Sequence, residues 1–439
     1  MSSIFKAYDI RGIYGQDLTD DMAYAIGRAF VTFTACRKVV VARDIRPHSE
    51  PLFAALAKGL TEQGTDVIDI GHGSTPMSYF ANGTLGADAS IMITASHNPA
   101  EWNGFKLCRA QAMPISGATG IKEIERIVAE GSFAPKNVPG TISQTDVQEA
   151  YSRHVAQFAH LQKPVHVAID FANGMGIWEV KALKGLITWD GLYEDPDGRF
   201  PNHEANPLHH ATLADLQAKV RAGGYAFGVA YDGDADRAGF VDERGEIIPM
   251  DLITALIAQD VLAARKGVIF YDLRSSWAVK EAIEAAGGTP MMSRVGHAFI
   301  KQQMREHDAL FAGELSGHYY FKDNFTAESS ALAILSLANI VSKSDRPLSE
   351  LIAPLRKYFA SGEINTHVTR DPKAILDELR TAYADGRVFE LDGVSVEYAD
   401  WWFNVRCSNT EPLVRLNLEA RSEALMTAKR DEILAIIRK

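Results

Sequence analysis

The stretch Ala89–Pro99 reads ASIMITASHNP, an apolar run that leads directly into a polar loop. Its first part, Ala89–Thr94, has the composition of a buried strand, and in open α/β sheets ligands bind at the loops that follow such strands. We therefore expect Ser96 to lie exposed at a strand end, beside His97 and Asn98. Taken alone, the loop is explained at least as well by an ordinary turn, since Ser, Asn and Pro all favour turns. It lacks the Gly-x-Ser-x-Gly pattern, so a hydrolase nucleophile elbow is not indicated.

Strands and helices alternate on both sides of this stretch. Lys38–Arg43 (KVVVAR) and Asp66–Ile70 are predicted strands. Ser49 is predicted to cap a helix between them, a second helix begins at Thr75, and a third is expected near Gly117–Ala129. Strands that alternate with helices of this length indicate a parallel sheet covered on both faces. The first part of the chain is therefore predicted to be an α/β domain.

The same alternation continues through the middle of the chain. Strands are predicted at Val165–Asp170, Tyr225–Tyr231, Val268–Asp272, Thr289–Ser293 and Ala309–Ala312, and helices at Thr212–Arg221, Asp251–Ala264, Ser276–Ala286 and His297–Glu306. Five glycines interrupt Phe171–Arg199, which predicts a shortened or irregular connection. Gly131–Gln144, with two prolines and two glycines, resembles a linker.

The composition shifts after about residue 360. Short strands are predicted at Glu363–Thr369, Arg387–Leu391, Val394–Tyr398, Trp401–Arg406 and Val414–Glu419, with helices at Pro372–Tyr383 and Ser422–Arg438. This pattern indicates a smaller α+β domain with an antiparallel sheet. The predicted fold is therefore three α/β domains with mixed, mostly parallel sheets and a C-terminal α+β domain. Their expected boundaries are 1–145, 146–250, 251–360 and 361–439.

Composition and charge narrow the function. The chain has 439 residues and a formal net charge of −11, which disfavours a basic nucleic-acid surface. Its three cysteines are far apart and in no metal-ligand pattern, so reduced thiols are expected. Charged residues interrupt the first twenty-odd positions, and no run approaches the ~18 apolar residues of a membrane span. We expect a cytoplasmic protein with neither nucleic acid nor membrane as a partner.

Three alternate carboxylates, Asp232, Asp234 and Asp236, follow the apolar strand Ala226–Ala230. Such a set is costly unless a cation gathers it, and its hard oxygen ligands suit Mg²⁺ or Ca²⁺. An EF-hand loop is rejected because its sixth position requires Gly and is Arg237. A solvated acidic turn is the alternative, although the apolar strands on both sides favour a structured site. Mg²⁺ keeps positions open for phosphate oxygens, which points to phosphoryl chemistry.

A second polar loop follows a short apolar strand at Gly313–His318. Glu314, Ser316 and His318 alternate, so in an extended loop they would share one face. A carboxylate, a hydroxyl and an imidazole on one face suit the hydroxyl groups of a polyol. Alone, this is a weak signal.

A third polar loop, Arg406–Pro412, is flanked by Arg415. Its Ser408, Asn409 and Thr410 offer hydroxyl, amide and backbone donors between two arginines. Arginine binds phosphate with a bidentate fork, so the loop is a candidate anion site. A polar hairpin turn is the alternative.

Further cations lie near predicted strand ends. They are Lys6, Arg11, Lys106 and Arg274, and His297 lies close to another strand end. Each alone is more typical of a solvated charge. Their repeated placement at the carboxyl ends of strands favours one shared cleft.

Together these motifs resemble those of the α-D-phosphohexomutase family, and most closely of its bacterial phosphomannomutases. The matching stretches are KAYDIRG at 6–12, TASHNP at 94–99, DGDADR at 232–237, GELSGH at 313–318 and RCSNTEP at 406–412. They span nearly the whole chain, and five motifs in this order are far more specific than any one. The resemblance implies three related α/β domains and a fourth, smaller domain around a central cleft.

The resemblance also implies a role for each site residue. Ser96 would be the phosphoserine, and Asp232, Asp234 and Asp236 would hold one Mg²⁺ together with a phosphoserine oxygen. The remaining roles are sugar recognition by Glu314, Ser316 and His318, a distal phosphate clamp from Arg406, Ser408, Asn409 and Thr410, and cations near the transferred group at Arg11, Lys106, Arg237 and His297. Lys106 and His297 would be the general acid/base pair. Arg274 and Arg415 are expected to contact substrate.

The implied reaction interconverts mannose 6-phosphate and mannose 1-phosphate through hexose 1,6-bisphosphate, in a monomer or dimer that supplies GDP-mannose biosynthesis. Glucose phosphates are alternative substrates. Phosphoglucosamine is less favoured because the Glu-x-Ser-x-His loop lacks a Gln that we associate with phosphoglucosamine mutases. A phosphatase using the same phosphoserine, and a non-catalytic sugar-phosphate-binding protein, are the competing classes.

Overall fold

The structure, a computed structural model, describes residues 4–133, 138–407 and 413–439. The first of its sheets consists of β1 (Ile10–Ile13), β2 (Lys38–Arg43), β3 (Asp66–His72), β4 (Ala89–Ile93), β5 (Trp102–Arg109), β6 (Met113–Pro114) and β7 (Ile142–Gln144). The accompanying helices are α1 (Asp20–Thr34), α2 (Ser49–Glu62), α3 (Thr75–Thr84) and α4 (Lys122–Glu130).

A second and a third sheet follow in chain order. The second contains β8 (His166–Asp170), β9 (Thr188–Leu192), β10 (Phe227–Tyr231), β11 (Ala238–Asp242) and β12 (Ile247–Ile248), with helices α5 (Gln148–Ala156), α6 (Gly176–Lys181) and α7 (Ala214–Arg221). The third contains β13 (Val268–Asp272), β14 (Thr289–Ser293), β15 (Phe311–Gly313), β16 (Tyr319–Phe321) and β17 (Ala327–Glu328). Its helices are α8 (Met250–Ala264), α9 (Trp277–Ala285), α10 (His297–Glu306), α11 (Ser330–Lys343) and α12 (Leu348–Ile352).

The fourth sheet is antiparallel throughout its described pairings. Its strands are β18 (Phe359–Ala360), β19 (Ile364–His367), β20 (Arg387–Phe389), β21 (Val394–Glu397), β22 (Trp401–Cys407) and β23 (Leu413–Ala420), and its helices are α13 (Pro372–Ala382) and α14 (Glu423–Ile437). The predicted C-terminal α+β fold is confirmed. The domain boundaries at 145, 250 and 360 stay predictions.

The three mixed sheets share one strand order, namely β5-β4-β2-β3, β11-β10-β8-β9 and β16-β15-β13-β14. Counted in chain order within each of these sets of four, the first strand pairs in parallel with the second and with the third. The fourth strand pairs antiparallel with the third. The prediction of three related α/β domains is therefore confirmed.

Antiparallel pairing is more frequent than the sequence suggested. In the part of the chain that the structure describes, each mixed sheet has as many antiparallel as parallel pairings, where mostly parallel sheets were predicted. The reason is that the loops after β4, β10 and β15 are hairpins. They return the chain directly beside the strand it has left, whereas a parallel neighbour requires a long crossover.

Burial explains why the central strands form where they do. Every residue of β4 and β10 is buried, as expected for strands covered on both faces. Helices α8 and α11 are apolar on nearly all sides, which is typical of helices packed inside a protein. One continuous core joins the second and third sheets. Among the helices described, none has both the length and the apolar character needed to cross a membrane.

Three local predictions need correction. Ser49 does not cap α2, because its hydroxyl donates to the carboxylate of Asp44 (2.6 Å), a charged and therefore stronger acceptor. The predicted linker contains an edge strand, β7, that pairs in parallel with β3. The connection at Phe171–Arg199 is indeed shortened, to the six-residue α6, but it also contains β9, a strand that its glycine obscured.

Candidate active site

Ser96 lies in the hairpin that joins β4 to β5. Its φ is 52°, in the left-handed region that non-glycine residues seldom adopt. Its amide donates to Thr94 Oγ1 (2.9 Å) and its hydroxyl to Asp232 Oδ2 (2.8 Å). Ser96 is only 1% exposed, so the predicted exposed position is wrong. The loop after β10 covers it, and Gly233 approaches so closely that a Cβ there would lie 2.3 Å from Ser96 O.

The carboxylate cluster consists of Asp232, Asp234 and Asp236, in the hairpin between β10 and β11. One oxygen from each lies within 4.8 Å of the others, and all three residues are buried. Burial and the neighbouring carboxylates raise the pKa of Asp232 to about 8. Asp234 Oδ1 is buried and has no hydrogen-bond partner among the described residues. Converging, mutually repelling oxygen ligands with an unpaired acceptor fit a divalent cation.

Lys106 on β5 is the counter-ion of this cluster. Its ammonium group donates to Asp234 Oδ2 (2.6 Å) and to Asp236 Oδ2. Burial lowers the pKa of Lys106, but the two carboxylates outweigh burial and raise it above its ordinary value. Lys106 is therefore charged at neutral pH. Its part in proton transfer stays a prediction. The pairing with two carboxylates does not favour Lys106 as the base, because its ammonium group keeps its proton.

Two predicted arginines flank Ser96 and Asp232. Arg11 on β1 donates to Ala95 O (3.1 Å) and to the side chain of Asn98 (2.7 Å), so it braces the serine hairpin. The amide of Arg237 donates to Asp232 Oδ1 (3.2 Å), and its Nε lies 3.9 Å from Asp232 Oδ2. Both arginines thus contact the hairpins that hold the serine and the carboxylates.

The loop of Glu314, Ser316 and His318 brings its three side chains together, but in a tight turn. The amide of Gly317, with φ 85°, donates to Glu314 O, which excludes the extended loop expected from the alternation. His318 Nδ1 lies 3.2 Å from Glu314 Oε2 and 2.9 Å from Ser316 Oγ. His318 Nε2 lies 3.3 Å from Asp236 Oδ1, so the turn abuts the carboxylate cluster.

His297 begins α10, and its described contacts include no hydrogen bond to the carboxylate cluster, although the charges of Asp236 and Lys106 act on it. Its Nδ1 is buried without a hydrogen-bond partner in residues 4–133, 138–407 and 413–439, and is 3.9 Å from Glu328 Oε1. Burial, followed by the charges of Lys301 and Lys106, lowers the pKa of His297 well below its usual value. Its imidazole is therefore neutral at physiological pH.

The arginine cluster consists of Arg274, Arg406 and Arg415, which surround Glu363. Arg274 Nη1 lies 3.5 Å and Arg415 Nη1 3.4 Å from that carboxylate, and Arg406 Nη2 is hydrogen-bonded to it. Burial alone would raise the pKa of Glu363, but the three guanidinium groups lower it. Ser408, Asn409 and Thr410, the rest of the predicted clamp, lie outside the described residues.

A chain of contacts connects the two clusters. Asp272, at the end of β13, accepts from Arg274 Nη2 (2.7 Å) and from the amide of Leu315 (2.8 Å). Leu315 belongs to the same turn as His318, which contacts Asp236. Apart from His297 and Lys6, the predicted site residues within the described ranges therefore lie in one connected network.

Sequence reasoning missed several residues of this network, among them Asp272, Glu363 and Thr75. Glu363 was noticed only as the start of a predicted strand, and no spacing relates it to arginines 43 and 89 residues away. Thr75 hydrogen-bonds Asp234 Oδ2 (2.6 Å), and it was noticed only as a helix start. Their only signal was an isolated polar residue at an element boundary, which is too common to be informative.

Comparison with known protein families identifies the whole architecture. Models of the phosphoglucomutase/phosphomannomutase family match in four parts: α/β/α domain I at residues 2–135, domain II at 149–245, domain III at 249–358 and the C-terminal domain at 363–436. These matches cover most of the chain.

Individual relatives agree over their full length. The chain is 41% identical to a phosphomannomutase of Escherichia coli, with 99% of both chains covered. It is 40% identical to a phosphomannomutase of Methanocaldococcus jannaschii, with 99% of this chain and 98% of that one covered. A solved phosphoglucomutase/phosphomannomutase family protein from Burkholderia thailandensis superposes with a TM-score of 0.91 at 35% identity, covering 99% of this chain and 96% of that one. The chain therefore belongs to the phosphoglucomutase/phosphomannomutase family and is an enzyme of the isomerase class.

Proposed function

We propose that this enzyme interconverts the 1- and 6-phosphates of a hexose, with mannose preferred, through a phosphoserine at Ser96. The observation that carries the proposal is the hydroxyl of Ser96, 2.8 Å from Asp232 in a cluster suited to a divalent cation. The names of the relatives from Escherichia coli and Methanocaldococcus jannaschii support a phosphohexomutase and the choice of mannose.

Two mirrored half-reactions account for the isomerisation. In the first, the P–O bond to Ser96 Oγ breaks while a P–O bond to the free sugar hydroxyl forms, and the hydroxyl proton passes to a basic group. The product, hexose 1,6-bisphosphate, turns over within the site. In the second half-reaction its other phosphoryl group passes to Ser96, and the proton returns to the sugar oxygen that has been freed. The enzyme is thereby restored to its phosphorylated state.

Asp232, Asp234 and Asp236 would hold Mg²⁺ together with a phosphoserine oxygen. When bound, Mg²⁺ offsets negative charge on the phosphoryl oxygens. Lys106 and Arg237 contact the same carboxylates and add positive charge from the protein. These charges are fixed by the fold before the reaction begins, so little reorganisation is needed during transfer.

His297 is the proposed proton acceptor of the first half-reaction. Its imidazole is neutral, since burial and Lys301 lower its pKa, and its Nδ1 has no hydrogen-bond partner in the described part of the chain. A positioned base of this kind typically contributes about 10²–10⁴-fold to the rate. The protonated imidazole can return the same proton in the second half-reaction, while Lys106 remains charged and offsets phosphoryl charge.

The arginine cluster, with Ser408, Asn409 and Thr410, is the proposed site of the phosphate that does not react. Guanidinium groups bind phosphate through paired N–H donors. Glu314, Ser316 and His318 lie between the two clusters along the contact network and would read the sugar hydroxyls. A remote phosphate clamp is required by a mutase, because either end of the bisphosphate must be held while the other reacts.

The test is an isomerisation assay on purified protein with Mg²⁺ and a trace of hexose 1,6-bisphosphate. The 1-phosphates of mannose, glucose and glucosamine are compared by kcat/KM, and we expect mannose to give the highest value. Intact mass should show a species about 80 Da heavier. The Ser96→Ala variant should lack both that species and the activity, whereas Ser90→Ala, a buried serine at the other end of β4, should keep both.

Two outcomes would contradict the proposal. If none of these hexose phosphates is isomerised, the mutase is excluded. If release of inorganic phosphate outpaces isomerisation, the enzyme is a phosphatase using the same serine.

A further inference from the structure

Arg46 follows β2 and is buried against the serine hairpin, with no part of its side chain exposed. Its guanidinium donates four hydrogen bonds to main-chain carbonyls and one to a carboxylate. The acceptors are Ser96 O (2.9 Å), Asn98 O (2.7 Å), Pro99 O (2.6 Å), Trp102 O (3.1 Å) and Asp44 Oδ2 (3.1 Å). A guanidinium has five N–H donors, so all of them are used. Lysine, with three donors on one atom, cannot reproduce this pattern.

The backbone of Ser96 needs such support. Its left-handed φ of 52° is strained for a residue with a side chain, and such a conformation persists only when its surroundings enforce it. The carbonyl of Ser96 belongs to the peptide that follows the strained residue. By binding this carbonyl and those of Asn98 and Pro99, Arg46 fixes the path of the chain on the C-terminal side of Ser96, and therefore the direction of its hydroxyl.

The second sheet's loops close over the same arginine. The ring centroid of Phe200 lies 4.9 Å from the Arg46 guanidinium carbon. Ser96 O, which Arg46 holds, is also the atom that Gly233 of the carboxylate hairpin approaches. Arg46 is thus packed between the serine hairpin and the second domain, where a displacement changes the distance from Ser96 Oγ to Asp232.

We propose that Arg46 is a positioning residue for phosphoryl transfer, which holds Ser96 in its left-handed conformation and aims its hydroxyl at the carboxylate cluster. The inference rests on the proposed phosphoserine chemistry. Among the described contacts of Arg46, none is with a reacting atom, so it acts on the serine hairpin through main-chain carbonyls. Removing it should therefore lower kcat, and leave KM nearly unchanged because the arginine cluster is intact.

The experiment compares Arg46→Ala, Arg46→Lys and Phe200→Leu with Arg43→Ala as the matched control. Arg43 is a buried arginine at the end of β2 that pairs with Asp69 (2.6 Å) and Glu50 (2.7 Å), with no described contact to the serine hairpin. We expect Arg46→Ala to lose about 10²-fold in kcat, as small misplacements in active sites do. Arg46→Lys and Phe200→Leu should lose less, and Arg43→Ala should stay within about 2-fold.

Two readouts separate positioning from general instability. Millimolar guanidinium should restore part of the kcat of Arg46→Ala. Potassium chloride at equal ionic strength should not. Amide hydrogen exchange in the peptide over residues 95–102 should be faster in Arg46→Ala than in Arg43→Ala, and this readout does not depend on activity.

The proposal is overturned if Arg46→Lys and Phe200→Leu are folded and show the same kcat and the same amide hydrogen exchange as the unchanged protein. It is also overturned if Arg43→Ala loses as much kcat as Arg46→Ala. Failure of the proposed function looks different, because the unchanged protein would then isomerise nothing. In that case the exchange of residues 95–102 still tests whether Arg46 holds the hairpin.

Discussion

The carboxylate cluster and the arginine cluster solve opposite electrostatic problems. At the first, three buried carboxylates share Lys106 and Arg237 as cationic neighbours, and burial together with their mutual repulsion raises the pKa of Asp232 to about 8. At the second, three guanidinium groups face Glu363 and lower its pKa. One region gathers carboxylates and suits a cation, whereas the other gathers guanidinium groups and suits an anion.

The difference predicts separate roles for the carboxylate cluster and the arginine cluster. Buried like charges are costly, so a ligand of the opposite sign should stabilise each cluster. Within the arginine cluster, Arg406 and Arg415 also lie directly opposite each other on β22 and β23, an arrangement that is destabilising for like charges. Changes at the carboxylates should therefore affect catalysis and cation binding, and changes at the arginines substrate affinity and anion binding.

The largest expected effect comes from neutralising one carboxylate. Asp234→Asn removes a charge from the cation site, and kcat should fall by about 10³-fold, since preorganised charges of this kind have effects of that size. Calorimetric titration should show weaker Mg²⁺ binding. Asp242→Asn is the matched control, because Asp242 is buried at the other end of β11 and caps a turn. A tenfold or smaller change in Asp234→Asn, with unaltered Mg²⁺ binding, would locate the cation elsewhere.

Removing an arginine should act on affinity instead. Arg406→Ala loses charged hydrogen bonds worth about 1.5–3 kcal/mol, so KM for a hexose phosphate should rise about 10- to 100-fold. The drop in kcat should be smaller than in Asp234→Asn. Arg370→Ala, which breaks a partly exposed ion pair with Glu378 in the same domain, should leave both constants unchanged. If Arg406→Ala lost kcat at constant KM, the arginine cluster would not act mainly on substrate affinity.

Neutralising Glu363 sharpens the comparison by a smaller step. Glu363→Gln removes the carboxylate that the three arginines share, and its Tm should fall by about 4–8 °C for each kcal/mol lost from a domain of this size. Addition of inorganic phosphate should raise the Tm of this variant more than it raises the Tm of the unchanged protein. Glu378→Gln, at an exposed pair with Lys439, should show no such response. Equal phosphate stabilisation in all three proteins would argue against an anion-demanding cluster.

The smallest effect is expected at a buried carboxylate with neutral partners. Glu179 accepts from Ser74, Tyr151 and Ser330, and burial raises its pKa to about 7. A carboxyl whose folded pKa is raised stabilises the protein at low pH and loses that contribution as the pH rises through about 7.

The Tm of the unchanged protein should therefore decrease between pH 5 and pH 8 relative to that of Glu179→Gln. We expect a difference of about 1–3 °C in differential scanning fluorimetry. Glu149→Gln, at an exposed helical ion pair, is the control and should follow the unchanged protein. Parallel curves for Glu179→Gln and the unchanged protein would show that Glu179 does not titrate in this range.

The sequence was informative where local patterns decide the structure. The strands before Ser96 and Asp232 are short apolar runs bounded by polar turns, and a buried strand leaves little choice about where its loop begins. The hairpin return at Trp102–Arg109 was missed, because its mixture of polar, apolar and aromatic residues shows no clean alternation. Its consequence was an overestimate of parallel pairing.

Partners distant in sequence could not be predicted in the same way. Glu363 meets Arg274 across a domain junction, and Arg46 meets the carbonyls of a loop about fifty residues on. A carbonyl acceptor carries no side-chain signature at all, so a residue that binds only carbonyls leaves no trace in a motif. The exposure of Ser96 was mispredicted for a related reason, since the covering loop comes from another domain.

The shared strand order has a consequence for how such an enzyme can diversify. In each α/β domain the loop that carries site residues occupies an equivalent position, the hairpin after the third strand of the repeat. Duplication of an ancestral unit would have supplied three such hairpins at once. The hairpins after β4 and β10 carry the serine and the carboxylates, while the one after β15 faces them with Glu314, Ser316 and His318. Under the proposed roles, a change confined to the third hairpin would alter which sugar is bound and would leave the transfer chemistry of the other two hairpins in place.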